Sequence, residues 1–322
     1  MKPDNYATHG SLGLALIQLE RFAEAAEHFQ ALLEHEPENA DALAQLGVAL
    51  AHQNQPDEAL ACCRQALNLA SDNWEVHTNA GRILAQLDQY APAMDHWQKA
   101  LELTSDNPAA RVELYHLTAW QMARHGQIDQ AVLRWQEILK LQPENVAAHA
   151  NLAEALARGG KIDQAVPHWQ KLIELDKDNI IALYSLGRVA YQRGDVPAAL
   201  SNYHRVLELE PEHLGALNDL AWLLATSPDS KVRDPARAVE LAEKASSLDK
   251  SQNPAALDTL AAAYAAAGKF AQACQTAHLA LEQAAASGNT PLVEEINTKL
   301  QLYKNEQPYY DYAPPVKTNG NS

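Results

Sequence analysis

The chain has 322 residues, 47% of them hydrophobic, with 41 Asp+Glu against 25 Lys+Arg and a formal net charge of -16. That balance repels nucleic-acid phosphates and anionic lipid surfaces and makes a basic or neutral protein partner the easier one to attract. No apolar run approaches the roughly 20 residues that cross a bilayer, and the opening MKPDNYATHG lacks the apolar core of a signal peptide, so the chain reads as soluble: cytoplasmic first, with a soluble periplasm-facing domain of a membrane-associated protein as the alternative.

Along the chain an alanine recurs at Ala25, Ala59, Ala93, Ala131, Ala165 and Ala199, at intervals of 34, 34, 38, 34 and 34 residues. A second set of small residues runs ahead of it at Gly13, Gly47, Gly81, Ala119, Ala153 and Gly187. Such a period predicts one helical hairpin copied many times and stacked into an all-α solenoid. The small residues mark where the two helices of a hairpin approach most closely, since a larger side chain would push them beyond their usual spacing of roughly 8 to 10 Å. Four residues after the alanine comes a wide ring, at Phe29, Trp97, Trp135, Trp169 and Tyr203, which at this helical spacing is core rather than a cofactor box.

Turn signals separate the copies: PEN at Pro37, SDN at Ser71 and Ser105, PEN at Pro143, KDN at Lys177 and PEH at Pro211. Pro or Ser stops one helix, and the Asn or Asp that follows is suited to cap the next. The units fall near 6–39, 40–73, 74–107, 108–145, 146–179, 180–213, 214–252 and 254–286. The fourth holds four extra residues, about one turn, which lengthen its first helix without loss of phase. The seventh is interrupted between its helices by TSPDSKVRDPA, residues 226–236, a surface loop. The eighth is Ala-rich, and a lone helix over 291–304 covers the exposed end of the stack, as a solenoid requires. Residues 305–322, NEQPYYDYAPPVKTNGNS, carry no period and read as an extended or disordered tail.

The signature L-G/A-x-x-L/Y, then A-x-x-x-F/W/Y, then Pro, repeated at 34 residues, resembles the tetratricopeptide repeat over about residues 6–286. The resemblance implies a right-handed α-solenoid of about eight hairpins with a capping helix. It implies a non-enzymatic scaffold that binds a peptide or extended protein segment in a concave groove lined by the first helices. The stretch from about Leu214 to Tyr310 is similar to the C-terminal repeats of many bacterial proteins, some fused to a membrane glycosyltransferase. A regulatory or substrate-recruiting arm of such a transferase system is therefore an alternative. A self-assembling homo-oligomer, with YYDYAPP at 309–315 of one copy filling the groove of another, is a third.

Mapped onto this chain, the family's groove positions hold Asp41, Gln45 and His52, then Glu75, Asn79, Arg82 and Gln86, then Glu113, His116, Trp120 and Arg124. Further on they hold Asn151, Glu154 and Arg158, then Tyr184, Arg188, Tyr191 and Gln192, then Asn218, Asp219 and Trp222. Trp, Tyr and Arg dominate interface energetics, so Trp120, Arg124, Arg158, Tyr184, Arg188, Tyr191 and Trp222 form the candidate ligand strip, with Arg82, Asn79 and Asn151 beside it. The competing reading packs Trp120 and Trp222 against neighbouring hairpins and pairs the arginines with Glu154 and Asp219. Asn79 and Asn151 resemble a fragment of the asparagine ladder of O-GlcNAc transferase, interrupted by Leu117, Ser185 and Asp219. A chaperone-type carboxylate clamp is disfavoured, because Gly10, Leu14, Gln45, Glu75 and Asn79 stand where it needs Lys and Asn.

Of the 13 histidines, six fall into two rows, His28, His96 and His168 at one position and His9, His77 and His149 at another. Alternate repeats lie roughly 20 Å apart if each helix layer adds about 10 Å, too far for one metal with ligands near 2 Å. Cys62, Cys63 and Cys274 form neither a disulfide framework nor a CxxC pair and read as idle thiols. With no GxSxG, HExxH or P-loop, no cofactor, metal or catalytic residue is expected.

Overall fold

The structure is a computed structural model that describes residues 6–249 and 253–311, with only the backbone of Tyr6 and Ala7. The sequence readings for 1–5, 250–252 and 312–322, including the AlaProPro end of the proposed insert, lie outside the described residues. Among the described residues there are seventeen helices and no strand. The chain divides into two compact units at Gly159 and Gly160.

Unit 1 contains α1 (Tyr6–Gln18), α2 (Phe22–His35), α3 (Ala40–His52), α4 (Pro56–Leu69), α5 (Trp74–Gln86), α6 (Tyr90–Leu103), α7 (Pro108–Arg124), α8 (Ile128–Leu141) and α9 (Val146–Arg158). Unit 2 contains α10 (Ile162–Leu175), α11 (Ile180–Gln192), α12 (Val196–Leu209), α13 (Leu214–Thr226), α14 (Pro235–Leu248), α15 (Pro254–Ala266), α16 (Phe270–Ala286) and α17 (Thr290–Lys304). Within each unit consecutive helices pack as antiparallel hairpins, and first helices also touch first helices, as α3 does α5 and α13 does α15. Helices of 13 or 14 residues are marginal alone in water, so each depends on these neighbours. α7 has 17 residues where α5 and α9 have 13, which takes up the four-residue insertion.

The recurring small residues are where the hairpins close. Ala25, Ala59, Ala93, Ala131, Ala165 and Ala199 are all fully buried. A Cβ built on Gly13 would lie 2.7 Å from the Phe29 ring, and one on Gly187 would lie 2.8 Å from Tyr203. At Gly81 it would run into the indole of Trp97, whose Nε1 donates to the Thr78 carbonyl at 3.1 Å.

The punctuation residues act as N-caps. Asn39, Asn107 and Asn145 accept from the amides of Ala42, Ala110 and Ala148 at 2.9, 3.1 and 2.9 Å, and Asn73 accepts from Glu75 at 2.8 Å. In unit 2 Asn179 caps α11, and His213 takes the same place on α13, its Nδ1 accepting from Ala216 at 3.1 Å. Each such cap stabilises its helix by about 1 kcal/mol. The turns inside hairpins need a left-handed residue, which is Gly126 in unit 1 and Gly194 and Gly268 in unit 2, but Glu20, Asn54 and Asp88 in the first three hairpins. α17 packs on α15 and α16, burying Ile296, Leu300 and Tyr303 while Glu294, Thr298 and Gln301 stay in water.

Gly187→Leu is expected to destabilise unit 2 by about 1–3 kcal/mol or more through overpacking against Tyr203. Gly194→Ala, at φ 76°, is expected to cost about 1–2 kcal/mol through backbone strain alone. Urea midpoints measure both, and equal midpoints for Gly187→Leu and the parent would refute the close-approach account.

Candidate functional sites on the first-helix faces

In unit 1 the first helices α1, α3, α5 and α7 line a cavity of about 410 Å³. Its rim carries Asp41, Gln45, Glu75, Asn79, Arg82 and Glu113, and Leu14, Leu32 and Trp74 contribute apolar surface. Asn79 is almost fully buried and accepts from Arg82 Nη1 at 3.1 Å, while Arg82 Nη2 makes a short ion pair with Glu113 across to α7. Burial raises the Glu75 carboxyl above its ordinary range, and the like charges of Asp41 and Glu113 add to the effect. The site is therefore acidic overall.

Arg82 also lines a second cavity of about 320 Å³, with His52, Gln86, Leu117, Trp120, Gln121 and Arg124. Trp120 is 54% exposed, and the Arg124 guanidinium lies 4.9 Å from its ring centroid. Asn79, Arg82, Trp120 and Arg124 thus meet on one face. Arg158 does not share that arrangement: it is solvated, and its Nε lies 2.7 Å from Glu154 on its own helix, a surface pair worth little. Asn151 is partly buried on α9.

In unit 2, Tyr184, Arg188, Tyr191 and Trp222 form two linked groups. The Tyr184 hydroxyl donates to Asp219 at 3.0 Å, and Arg188 Nε is 4.0 Å from the same carboxylate. Burial raises the pKa of Tyr184 and, above all other effects, that of Asp219. Tyr191 and Trp222 are taken up by the chain's own C-terminal segment. The Tyr191 hydroxyl makes a short hydrogen bond to Asp311, and Trp222 Nε1 donates to Tyr191 Oη at 2.9 Å and to Asp311 Oδ2 at 3.2 Å.

Beneath this segment is a charge that the periodicity did not reveal. Lys299 is 1% exposed; its Nζ lies 2.5 Å from Asp258 and 2.7 Å from Glu295, and sits 4.4 Å from the Trp222 and 5.3 Å from the Tyr309 ring centroids. Burial opposes its charge, but Asp258 and Glu295 outweigh burial and raise its pKa. Burial raises Asp258 too, despite Lys299, and its Oδ1 has no hydrogen-bond partner. The one signal available was an Asp inside the apolar run PAALDTLAAAYAA.

The two histidine rows, read separately from the sequence, meet within hairpins. Nδ1 of His9 is 3.0 Å from Nδ1 of His28, and Nδ1 of His77 is 2.9 Å from Nδ1 of His96. His77 Nε2 also faces the Ser71 carbonyl at 2.8 Å and donates to it. Cys62, Cys63 and Cys274 are free thiols, and burial pushes Cys63 up to about 11.

A tetratricopeptide repeat model matches residues 11–73, 53–108, 122–180 and 184–231, more than half of the chain, and a second matches 254–278. The chain belongs to the tetratricopeptide repeat family. Its helical hairpins are those of a family whose fold serves as a protein–protein interaction scaffold. No curated protein sequence is significantly similar to this tetratricopeptide repeat chain. Among solved structures it is similar to the C-terminal part of a repeat-containing protein from Cytophaga hutchinsonii, at 18% identity and TM-score 0.61, covering 78% of this chain and 98% of that one. It is also similar to PilF of Pseudomonas aeruginosa, at 22% identity and TM-score 0.55, covering 67% and 96%. A third is PilW, described as a type IV pilus biogenesis factor, at 20% identity and TM-score 0.54, covering 67% and 99%. At these identities the likeness is one of fold.

Lys299→Met leaves Asp258 buried and unpaired and is expected to cost about 3–5 kcal/mol, most of it recovered in Lys299→Met with Asp258→Leu. Chemical denaturation of the two variants checks this, and a double variant no more stable than the single one would contradict it. The two units also differ in their pH response. Burial lowers the pKa of His52, His96 and His116, all in unit 1, below the ordinary 6.5. The stability of their neutral forms is therefore complete above that value and is lost as pH falls through it. The raised carboxyls Asp219 and Asp258 of unit 2 act in the opposite sense, as does Glu75 of unit 1. Hydrogen exchange at pH 7.5 and 5.5, corrected for intrinsic rates, should show lost protection in α3, α6 and α7 but not in α13 and α15; parallel loss in both units would count against it.

Proposed function

We propose that this protein is a non-enzymatic scaffold that takes an extended, basic peptide or protein segment along the first helices of unit 1. The observation that carries this reading is the pair of cavities sharing Arg82, one rimmed by Asp41, Glu75 and Glu113 and the other bearing the exposed Trp120. A basic side chain entering the first cavity meets three carboxylates against one guanidinium, which favours a cation in both encounter and residence. Binding it would also lower the raised pKa of Glu75 by setting an opposite charge among its like-charge neighbours. Trp120 offers an aromatic anchor next to that charged site, the side-chain type most often dominant at interfaces. Asn79 is already engaged by Arg82, so it orients that guanidinium and is not a free amide for a ligand backbone. The surplus of acidic residues over the whole chain works in the same direction.

Selection from a library of random extended peptides on the intact chain is expected to enrich Lys- or Arg-containing sequences. Trp120→Ala and Glu75→Lys should each weaken their binding by about tenfold or more, equivalent to about 1.4 kcal/mol, and added salt should weaken it further. Leu133→Ala, on the exposed face of the second helix α8, should leave it unchanged. Enriched peptides that ignore both Trp120→Ala and Glu75→Lys, or no enrichment at all, would overturn the proposal.

A further inference from the structure

Unit 2 holds a ligand-like segment on its first-helix face, and that segment is its own. After α17 the backbone reverses at Glu306, φ 55°, and residues 307–311 run on without helix or strand. The Asp311 carboxylate accepts from the Tyr191 hydroxyl on α11 and from Trp222 Nε1 on α13, so two successive first helices read one group. The Asp311 amide donates to the Thr226 carbonyl at 2.8 Å. The Tyr309 ring lies 5.9 Å from Trp222 and faces the Lys299 ammonium, and the Arg233 guanidinium lies 4.4 Å from the Tyr310 ring centroid. The recognition is thus made of two neighbouring rings and one carboxylate, each met by a different complementary group.

The backbone contributes little to this hold. Within 307–311, the main-chain hydrogen bonds are Gln307 N–H to the Leu302 carbonyl and Asp311 N–H to that of Thr226, and Pro308 has no N–H to give. The segment is attached to the fold mainly by side chains that a separate strand of the same composition could supply equally well. If it left, the Tyr191 hydroxyl would have to find water while Trp222 Nε1 kept its bond to Tyr191 Oη, and Trp222 and Lys299 would lose the Tyr309 ring. This is the form of a receptor with an occupant.

We infer that the face formed by Tyr191, Trp222, Thr226 and Arg233 is a binding site for an extended segment with two adjacent aromatic rings followed by a carboxylate. Tyr309–Asp311 fills it as a built-in competitor. An intramolecular occupant on so short a tether acts at an effective concentration in the roughly millimolar range, so an external segment, including Tyr309–Asp311 of a second copy, gains access only when the internal one is weakened. This site is on unit 2 and stands or falls independently of the basic-segment site on unit 1.

The probe is a fluorescent peptide of Asn305–Asp311, NEQPYYD, amidated so that Asp supplies its only side-chain carboxylate after the Tyr pair. It is titrated against the full chain and against a full-length variant carrying Tyr309→Ala and Asp311→Ala. Anisotropy should show binding to the variant at least about tenfold tighter than to the parent, since the competitor is gone. Adding Tyr191→Phe and Trp222→Phe, which keep the rings and remove the donors, should undo that gain, as should a peptide with Asn in place of the final Asp. Trp120→Ala should have no effect. The inference is overturned if the peptide does not bind the variant, or if binding ignores Tyr191→Phe and Trp222→Phe. It is equally overturned if Tyr309→Ala with Asp311→Ala melts the helices of unit 2 by circular dichroism, because the segment would then be part of the fold and not an exchangeable ligand.

Discussion

The hairpins that carry Gly13, Gly47, Gly81 and Gly187 each turn on one close approach, in which a residue with no side chain on the first helix lies against the bulk of its neighbours. At Gly13, Gly81 and Gly187 the opposing bulk is the ring of Phe29, Trp97 or Tyr203. At Gly47 the equivalent contacts are the Ala59 carbonyl, Cys62 and Ile83, because Cys63 replaces the ring and the next first helix fills the space. Density of this kind is what a protein interior tolerates least interference with. The first helix turns another face away from this contact, and there Arg82, Trp120, Arg188 and Trp222 are found, Arg82 paired with Glu113 and Trp222 lying against Lys299.

The period made the hairpins, their caps and their inserted turn legible, because those features are local or repeat at a fixed interval. Asn39, Asn107 and Asn145 could be named as caps from a three-residue pattern, and even the exchange to His213 preserves an acceptor at the right place. The same period hid what is not repeated. The pairing of Lys299 with Asp258 joins positions 41 residues apart, and that of Tyr191 with Asp311 joins positions 120 apart. No pattern within one repeat encodes either. The histidine pairs were missed for a different reason: comparing equivalent positions between repeats measured a long distance, while the relevant neighbour was in the same hairpin, 19 residues along.

The side chains of the candidate strip are not all placed alike. Asn79, Arg82, Trp120 and Arg124 converge, whereas Arg158 is a solvated side chain beside Glu154 and Arg188 stands beside Asp219. A groove position fixes the direction a side chain starts in; whether the side chain remains available depends on charges brought in from the next repeat. Glu113 reaching Arg82 and Asp219 reaching Tyr184 are both cases of a first helix answering its predecessor.

The buried lysine explains why the last repeat is built from alanine. An ammonium so far from water is tolerable only with carboxylates and aromatic faces close around it, and Asp258, Glu295, Trp222 and Tyr309 supply them from α15, α17, α13 and the segment after α17. Large side chains on α15 would hold α13 and α17 apart and break that enclosure. The run of Ala261, Ala262, Ala263 and Ala265, all nearly or fully buried, lets the three helices draw in around one charge. The terminal repeat therefore combines a core of small apolar residues with a single electrostatic arrangement, and the ring of Tyr309 is the one member of that arrangement supplied from outside a helix. The enclosure of Lys299 and the segment on the first-helix face of unit 2 share that ring, while the two carboxylates and the Trp222 face that hold the ammonium come from the helices themselves.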